Sequence, residues 1–176
     1  MAAGMFFMAY NRCMALSVRE LHVRRILNTY GDSLYRLAFS YLHNDADAQE
    51  IVQDTILQLL RYDPDFHGDG MKEKGWLMKT AANLSRNRLR SLNARDETEL
   101  DETFAGSEEK DLKFVWNAVN QLPEKYREVI HLFYQEGYST KEIADILGRK
   151  EGSVRSDLSR GRDALRTVLK EVYDFE

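Results

Sequence analysis

Apolar residues recur at intervals of three and four through most of the chain, the spacing of amphipathic helices rather than the alternation of strands. Leu21, Ile26, Leu27, Leu34, Leu37, Ala38 and Tyr41 mark one or two helices between Val18 and His43, with Gly31 as the place for a break if there are two. Asn44-Asp45 is a cap signal, and Ala48, Ile51, Val52, Thr55, Ile56, Leu59 and Leu60 line the inner face of a helix from Ala46 to Tyr62, which Asp63-Pro64 ends. Phe66 to Gly75, with Gly68, Gly70 and Gly75, reads as a loop, and Trp76 to Leu92 as another helix. Periodicity fails from Asn93 to Glu109, where Asp96, Glu97, Glu99, Asp101, Glu102, Glu108 and Glu109 dominate. It resumes at Asp111 to Gln121 and again in a helix that has Pro123 in its first turn, buries Tyr126, Val129, Ile130 and Phe133, and stops near Gly137. The expected fold is all-α, with no βαβ pattern and no internal repeat. It comprises an N-terminal extension over 1–17, disordered or weakly helical, a first helical domain over 18–93, a flexible acidic linker over 94–110 and a second helical domain over 111–176.

The region from Tyr138 to Leu169 carries the densest signal. Ser139-Thr-Lys-Glu142 has the form of a capping box, Ile143, Ala144 and Leu147 face inward, and Gly148 suits a left-handed turn. Val154, Leu158, Gly161 and Leu165 form the inner face of the next helix, and Ala144 allows the two helices to cross closely. Cap, turn glycine and small crossing residue in this order are the marks of a helix-turn-helix. The outer face of its second helix presents Gly152, Ser153, Arg155, Ser156, Ser159 and Arg160, short polar groups and cations suited to a DNA groove. Asp157 and Asp163 interrupt that side.

Composition sharpens this picture. Of 176 residues 31% are charged and 43% hydrophobic, with two prolines, and the net charge of −4 at first argues against nucleic acid. The charge is segmented, however. Between Lys72 and Arg95 seven basic residues face Glu73 alone, and a second basic block runs from Arg149 to Arg166. On the helix from Trp76, the residues Trp76, Lys79, Asn83, Arg86 and Arg90 share one stripe, a combination of ring, amide and cations that suits unpaired DNA, although a tryptophan there is equally suited to the core. Glu50, Gln53, Asp54 and Leu57 occupy the non-core side of the helix from Ala46, an acidic face with one leucine that offers a protein docking surface. The single cysteine, Cys13, allows no internal disulfide and fits a reducing cytoplasm. No stretch has transmembrane length, the short apolar N-terminus lacks the basic start of a secretory signal, and His22, His43, His67 and His131 are too scattered for a metal site. No phosphate loop or nucleophile motif points to an enzyme or a cofactor. A stand-alone helix-turn-helix regulator is the main alternative, but it needs a dimerisation element that the chain does not display.

Three segments resemble the second conserved region of bacterial sigma factors: Leu34-Tyr-Arg-Leu-Ala-Phe, Asp47-Ala-Gln-Glu-Ile-Val-Gln-Asp-Thr-Ile-Leu and Trp76-Leu-Met-Lys-Thr-Ala-Ala-Asn-Leu-Ser-Arg-Asn. Leu122-Pro-Glu-Lys-Tyr-Arg-Glu-Val-Ile, Gly137-Tyr-Ser-Thr-Lys-Glu-Ile-Ala-Asp-Ile-Leu-Gly and Glu151-Gly-Ser-Val-Arg-Ser-Asp-Leu-Ser-Arg-Gly-Arg resemble the fourth. With the acidic linker where a third region would stand, the layout is similar to the extracytoplasmic-function subgroup. The resemblance implies core RNA polymerase as partner, with Glu50, Gln53, Asp54 and Leu57 on the beta-prime clamp coiled coil and the second domain near the beta flap. It implies that Trp76, Lys79, Asn83, Arg86, Asn87 and Arg90, with the loop from Phe66 to Gly75, meet the melted minus-ten element of promoter DNA. Gly152, Ser153, Arg155, Ser156, Ser159 and Arg160 would meet the minus-thirty-five element. It also implies that the acidic linker threads toward the active centre, and an anti-sigma factor as a further partner.

Overall fold

The computed structural model describes residues 2–95 and 113–173, and the side chains of 18–94 and 114–171. Two helical units form, with no strand among the described residues. The first comprises α1 (Ala2–Leu42), α2 (Asp45–Tyr62) and α3 (Gly70–Arg95), packed on one another around Leu34, Leu37, Ala38, Tyr41, Ala48, Ile51, Leu59, Leu77, Met78 and Ala81. The second comprises α4 (Lys113–Asn120), α5 (Glu124–Ile130), α6 (Thr140–Leu147) and α7 (Glu151–Tyr173), around Val119, Val129, Ile130, Ile143, Leu147 and Val154.

Of the one or two helices expected between Val18 and His43, one forms: α1 is continuous through Gly31 to Leu42 and begins at Ala2. A lone glycine inside a helix costs only about 1 kcal/mol against alanine, which packing of α1 on α2 and α3 readily offsets. Two expectations are corrected: Leu21 and Leu27, expected on the inner face, are 63% and 42% exposed, because the inner face of this part of α1 is carried by Val23, Ile26 and Tyr30, and the start of α3 lies earlier than expected. The loop expected to reach Gly75 ends at Asp69, whose side chain accepts from the amides of Met71 and Lys72 at 3.0 and 3.1 Å and so starts α3 one and a half turns early. The acidic linker lies almost wholly outside the described residues.

The other boundaries follow from local chemistry. Asn44 caps α2 by accepting from the Asp47 amide at 2.9 Å. Asp63 closes α2 in the left-handed conformation, φ 44°. Pro123 stands at the N-cap of α5, just outside the first turn it was expected to occupy. Beyond Ile130 the helix widens into a π turn over His131–Gln135, closed by the bond from Glu136 N to His131 O at 3.2 Å, and ends at Gly137, φ 74°.

α7 crosses α5 closely at Gly161. A Cβ on Gly161 would lie 2.9 Å from Ile130 Cδ1 and 3.2 Å from Tyr126 Cβ. Glycine is therefore required there by space and not by backbone angle.

Candidate nucleic-acid interface

α6 and α7 build a helix-turn-helix from the features read in the sequence. The Ser139 hydroxyl accepts from the Glu142 amide, and the Glu142 carboxylate accepts from the Ser139 amide at 2.8 Å, so the capping box is complete. These bonds hold the Glu142 carboxyl below its ordinary range. Gly148 takes the left-handed conformation, φ 66°, that redirects the chain into α7. Thr140 Oγ1 donates to Glu151 Oε1 at 2.9 Å and ties the starts of the two helices together.

At the N-terminal end of α7, Gly152, Ser153, Arg155, Ser156, Ser159 and Arg160 are all exposed, while Val154, Leu158 and Gly161 are buried beneath them. Arg155 Nη2 donates to Glu151 Oε1 at 2.7 Å, and Thr140 and Arg155 together hold the Glu151 carboxyl below its usual value. Asp157 turns away from the exposed face toward Arg149, 3.5 Å away, so it does not oppose an anionic ligand there. Asp163 is exposed beside Arg166, one turn beyond Arg160.

On α3, Lys79, Asn83, Asn87 and Arg90 are exposed on one side, over a buried face of Leu77, Met78, Ala81, Ala82 and Ser85. Trp76 is half-buried, its ring edge-on to Phe66 with centroids 6.1 Å apart. It thus serves the core and the surface at once. Arg86 is also half-buried: Nη2 donates to Asn83 Oδ1 at 3.0 Å and Nη1 to the Leu147 carbonyl of α6 at 3.4 Å.

On α2, Glu50 and Gln53 are exposed, Asp54 is half-buried and Leu57 is 59% exposed. Arg88 of α3 reaches this face, 3.2 Å from Glu50 and 2.5 Å from Asp47. The acidic surface is consequently part of an ion-pair network, which periodicity alone did not reveal.

Sequence reasoning also missed a set of buried charges. Glu128 of α5 is 1% exposed and is held by Arg149 in the helix-turn-helix and by the Tyr41 hydroxyl of α1. Burial raises its carboxyl above the ordinary range despite these partners. The Glu136 side chain is 2% exposed, 3.0 Å from Lys74 Nζ and 3.7 Å from Arg36 Nη2. Burial would raise its carboxyl, but the hydrogen bond from Lys74 and the neighbouring positive charge hold it below the usual value. Arg127 contacts His43, and Lys74 lies 5.1 Å from the centre of the Tyr138 ring. Groups as far apart in the chain as Tyr41 and Glu128, or Arg36 and Glu136, meet only in three dimensions, so no local pattern announces them.

Residues 26–95 match the family described as Sigma-70 region 2, and residues 115–165 match Sigma-70, region 4. The ECF RNA polymerase sigma factor SigL of Mycobacterium tuberculosis is 30% identical over 160 residues, covering 85% of this chain and 90% of that protein. The ECF RNA polymerase sigma factor SigW of Bacillus subtilis is 28% identical, covering 84% and 88%. Among solved structures, the sigma factor RpoE of Bartonella quintana, crystallised with the anti-sigma factor NepR, superposes with a TM-score of 0.66 at 25% identity, covering 84% of this chain and 96% of that one.

Proposed function

The chain belongs to the ECF RNA polymerase sigma factors, and from that membership we propose how its two helical units divide the work of starting transcription. It binds core RNA polymerase and directs promoter recognition, DNA melting and initiation. Polymerase carries the nucleotidyl-transfer chemistry, and this chain contributes binding and positioning. It works beside polymerase in the cytoplasm. No helix among the described residues is long and apolar enough to cross a membrane.

The face of Glu50, Gln53, Asp54 and Leu57 docks on the beta-prime clamp coiled coil, with Arg88 setting the pose of Glu50, and the second unit lies near the beta flap. Lys79, Asn83, Arg86, Asn87 and Arg90, with Trp76 behind them, receive the melted minus-ten strand. The cations grip phosphates while the amides meet base edges. The exposed end of α7 enters the major groove of the minus-thirty-five element. Arg155, nearer the end that enters the groove, reads a base edge, and Arg160 holds phosphate. The acidic linker threads toward the active centre. An anti-sigma factor is the regulatory partner, a reading supported by the likeness to RpoE in its complex with NepR.

The observation that carries this assignment is the exposure of all six residues on the outer face of α7 behind a fully capped α6. Run-off transcription tests it. Core polymerase with this protein should initiate at discrete genomic promoters, while the protein alone should not shift those promoters in a gel. Tight, specific binding without polymerase, and no stimulation of transcription with it, would establish a stand-alone regulator instead.

A further inference from the structure

The end of α7 that carries the six outer-face residues also carries a carboxylate whose bonds go beyond what helix stability requires. Glu151 is the first residue of α7, and a single oxygen of its side chain, Oε1, accepts two hydrogen bonds from different directions. Thr140 Oγ1, on the first residue of α6, donates at 2.9 Å. Arg155 Nη2, one turn further along α7, donates at 2.7 Å. The other carboxylate at this end of α7, Asp157, is turned toward Arg149. Glu151 is thus the carboxylate that meets the arginine assigned to a base edge.

This anchoring runs back to the core of the second unit. Thr140 follows directly on Ser139, whose capping box with Glu142 fixes the start of α6, and α6 buries Ile143, Ala144, Ile146 and Leu147. The Arg155 side chain, by contrast, is 68% exposed. An exposed ion pair one turn apart on a helix ordinarily holds a long side chain only weakly, because both partners must give up rotamer freedom to form it. Here the acceptor is itself held by Thr140, so closing the pair orders one side chain and not two. One donor of the guanidinium is then occupied, which sets the plane of the fork and leaves its remaining donors for a ligand.

Electrostatics argue in the same direction. A negative charge at the end of a helix that enters a DNA groove is repelled by the phosphates on either side, whatever the sequence. A helix N-terminus does favour a carboxylate. That benefit needs neither a hydroxyl from the neighbouring helix nor a guanidinium four residues on. We propose, on the reading of α7 as the helix that enters the minus-thirty-five element, that Glu151 is a positioning residue for promoter discrimination. Pinned by Thr140, it holds the Arg155 fork in the pose that reads one base pair, and it lowers affinity for DNA in general.

The two effects have opposite signs, which a structural role would not produce. Core polymerase carrying the full chain is measured in competition on a promoter, on its single-base-pair variants across the minus-thirty-five element, and on promoter-free DNA of equal length. The base pair at which Arg155→Ala relaxes preference is the reference position. Glu151→Ala should lower discrimination there about three- to ten-fold, within the roughly 5- to 150-fold that one arginine on a base edge supplies. It should also raise binding to promoter-free DNA about two-fold. Glu151→Gln, which keeps an acceptor oxygen, should raise general binding equally but retain part of the discrimination. Thr140→Val, which keeps the shape and removes the hydroxyl, should lower discrimination at the same position, and Thr140→Ser should restore it. In an Arg155→Ala background Glu151→Ala should leave base preference unchanged. Uniform weakening on all sequences by Glu151→Ala, with a lower melting temperature, would make the residue a helix stabiliser and overturn the proposal. A change of preference at another base pair, or one that persists without Arg155, would make Glu151 a base contact and overturn it equally. Wild-type discrimination in Glu151→Ala, or an Arg155→Ala variant that relaxes no position, has the same consequence. A wild-type complex with no preference anywhere in that element refutes the reading of α7 itself, and the proposal with it.

Discussion

Gly161→Ala and Gly152→Ala place the same methyl group on the same helix and should move stability in opposite directions. In both positions alanine gains helix propensity, about 1 kcal/mol in a helix interior. At Gly152 the new Cβ meets nothing within 4 Å, so the gain is kept in part and the second unit is stabilised by a few tenths to about 1 kcal/mol. At Gly161 the new Cβ would stand 2.9 Å from Ile130 Cδ1, 3.2 Å from Tyr126 Cβ and 3.3 Å from Ile130 Cγ1. The Ile130 methyl can rotate aside only into a core where that residue is 2% exposed, and Tyr126 Cβ is fixed to the backbone of α5. Overpacking of this kind costs about 1–3 kcal/mol. Subtracting the propensity gain leaves Gly161→Ala destabilised by about 0–2 kcal/mol, and the two variants a few tenths to about 3 kcal/mol apart. For a unit of this size that separation is roughly 1–24 °C in melting temperature. Paired thermal and urea melts of the full chain would measure it. Equal stability of the two variants would refute the close crossing of α5 and α7, and with it the seating of the recognition helix.

Three further outcomes follow from the site and its charges. Glu50→Lys with Asp54→Lys puts positive charge beside Arg88 as well as on the docking face, and should sharply lower co-purification with core polymerase while far-UV circular dichroism stays unchanged; normal recovery of core would remove α2 from the docking surface. Arg155→Ala should cost about 1–3 kcal/mol and relax preference at one base pair, whereas Arg160→Ala should weaken all sequences alike and lower the salt slope by about one unit, both read from promoter binding by the polymerase complex at several salt concentrations. Burial holds His131 and His43 at pKa values of about 4, with the charge of Arg127 adding to the effect on His43. Above pH 6.5 both rings are neutral folded or unfolded. As pH falls from 6.5 toward 4 the unfolded chain takes up protons that the folded chain refuses, so stability should drop by up to about 3 kcal/mol per ring. Melting temperature against pH checks this, His131→Gln should flatten the slope, and a wild-type profile flat from pH 7 to 4.5 would count against both burials.

The helix-turn-helix was legible in the sequence because its determinants are local. Ser139 and Glu142 are one turn apart, Gly148 follows one residue after α6, and the inner and outer faces of α7 alternate within single turns. The start of α3 was misplaced because three glycines outweighed one aspartate, although Asp69 is the residue that caps it. Leu21 and Leu27 showed that helical spacing identifies a face without saying whether anything covers it. The charged partners Glu128, Arg149, Glu136 and Lys74 were out of reach for a different reason: a charged residue reads as solvent-exposed until a distant segment is known to enclose it. Gly161 was placed on the inner face, but the need for glycine there depends on Tyr126 and Ile130, which only the helix crossing brings near.

The π turn at His131–Gln135 makes the length of this segment tolerant of one residue more or less. A regular helix advances about 100° per residue, so this turn holds one more residue than an α-helical path between Ile130 and Glu136 would use. Removing a single residue here would favour ordinary helix and leave most of each apolar core unaltered in composition. Because the widened turn is what absorbs the extra residue, Glu136 and Tyr138 would keep their phase toward Lys74 and Arg36. A one-residue deletion in a regular helix turns everything beyond it by about 100°; in this segment the turn takes it up. Sequences related by such a deletion could differ in length here and still keep their halves in register.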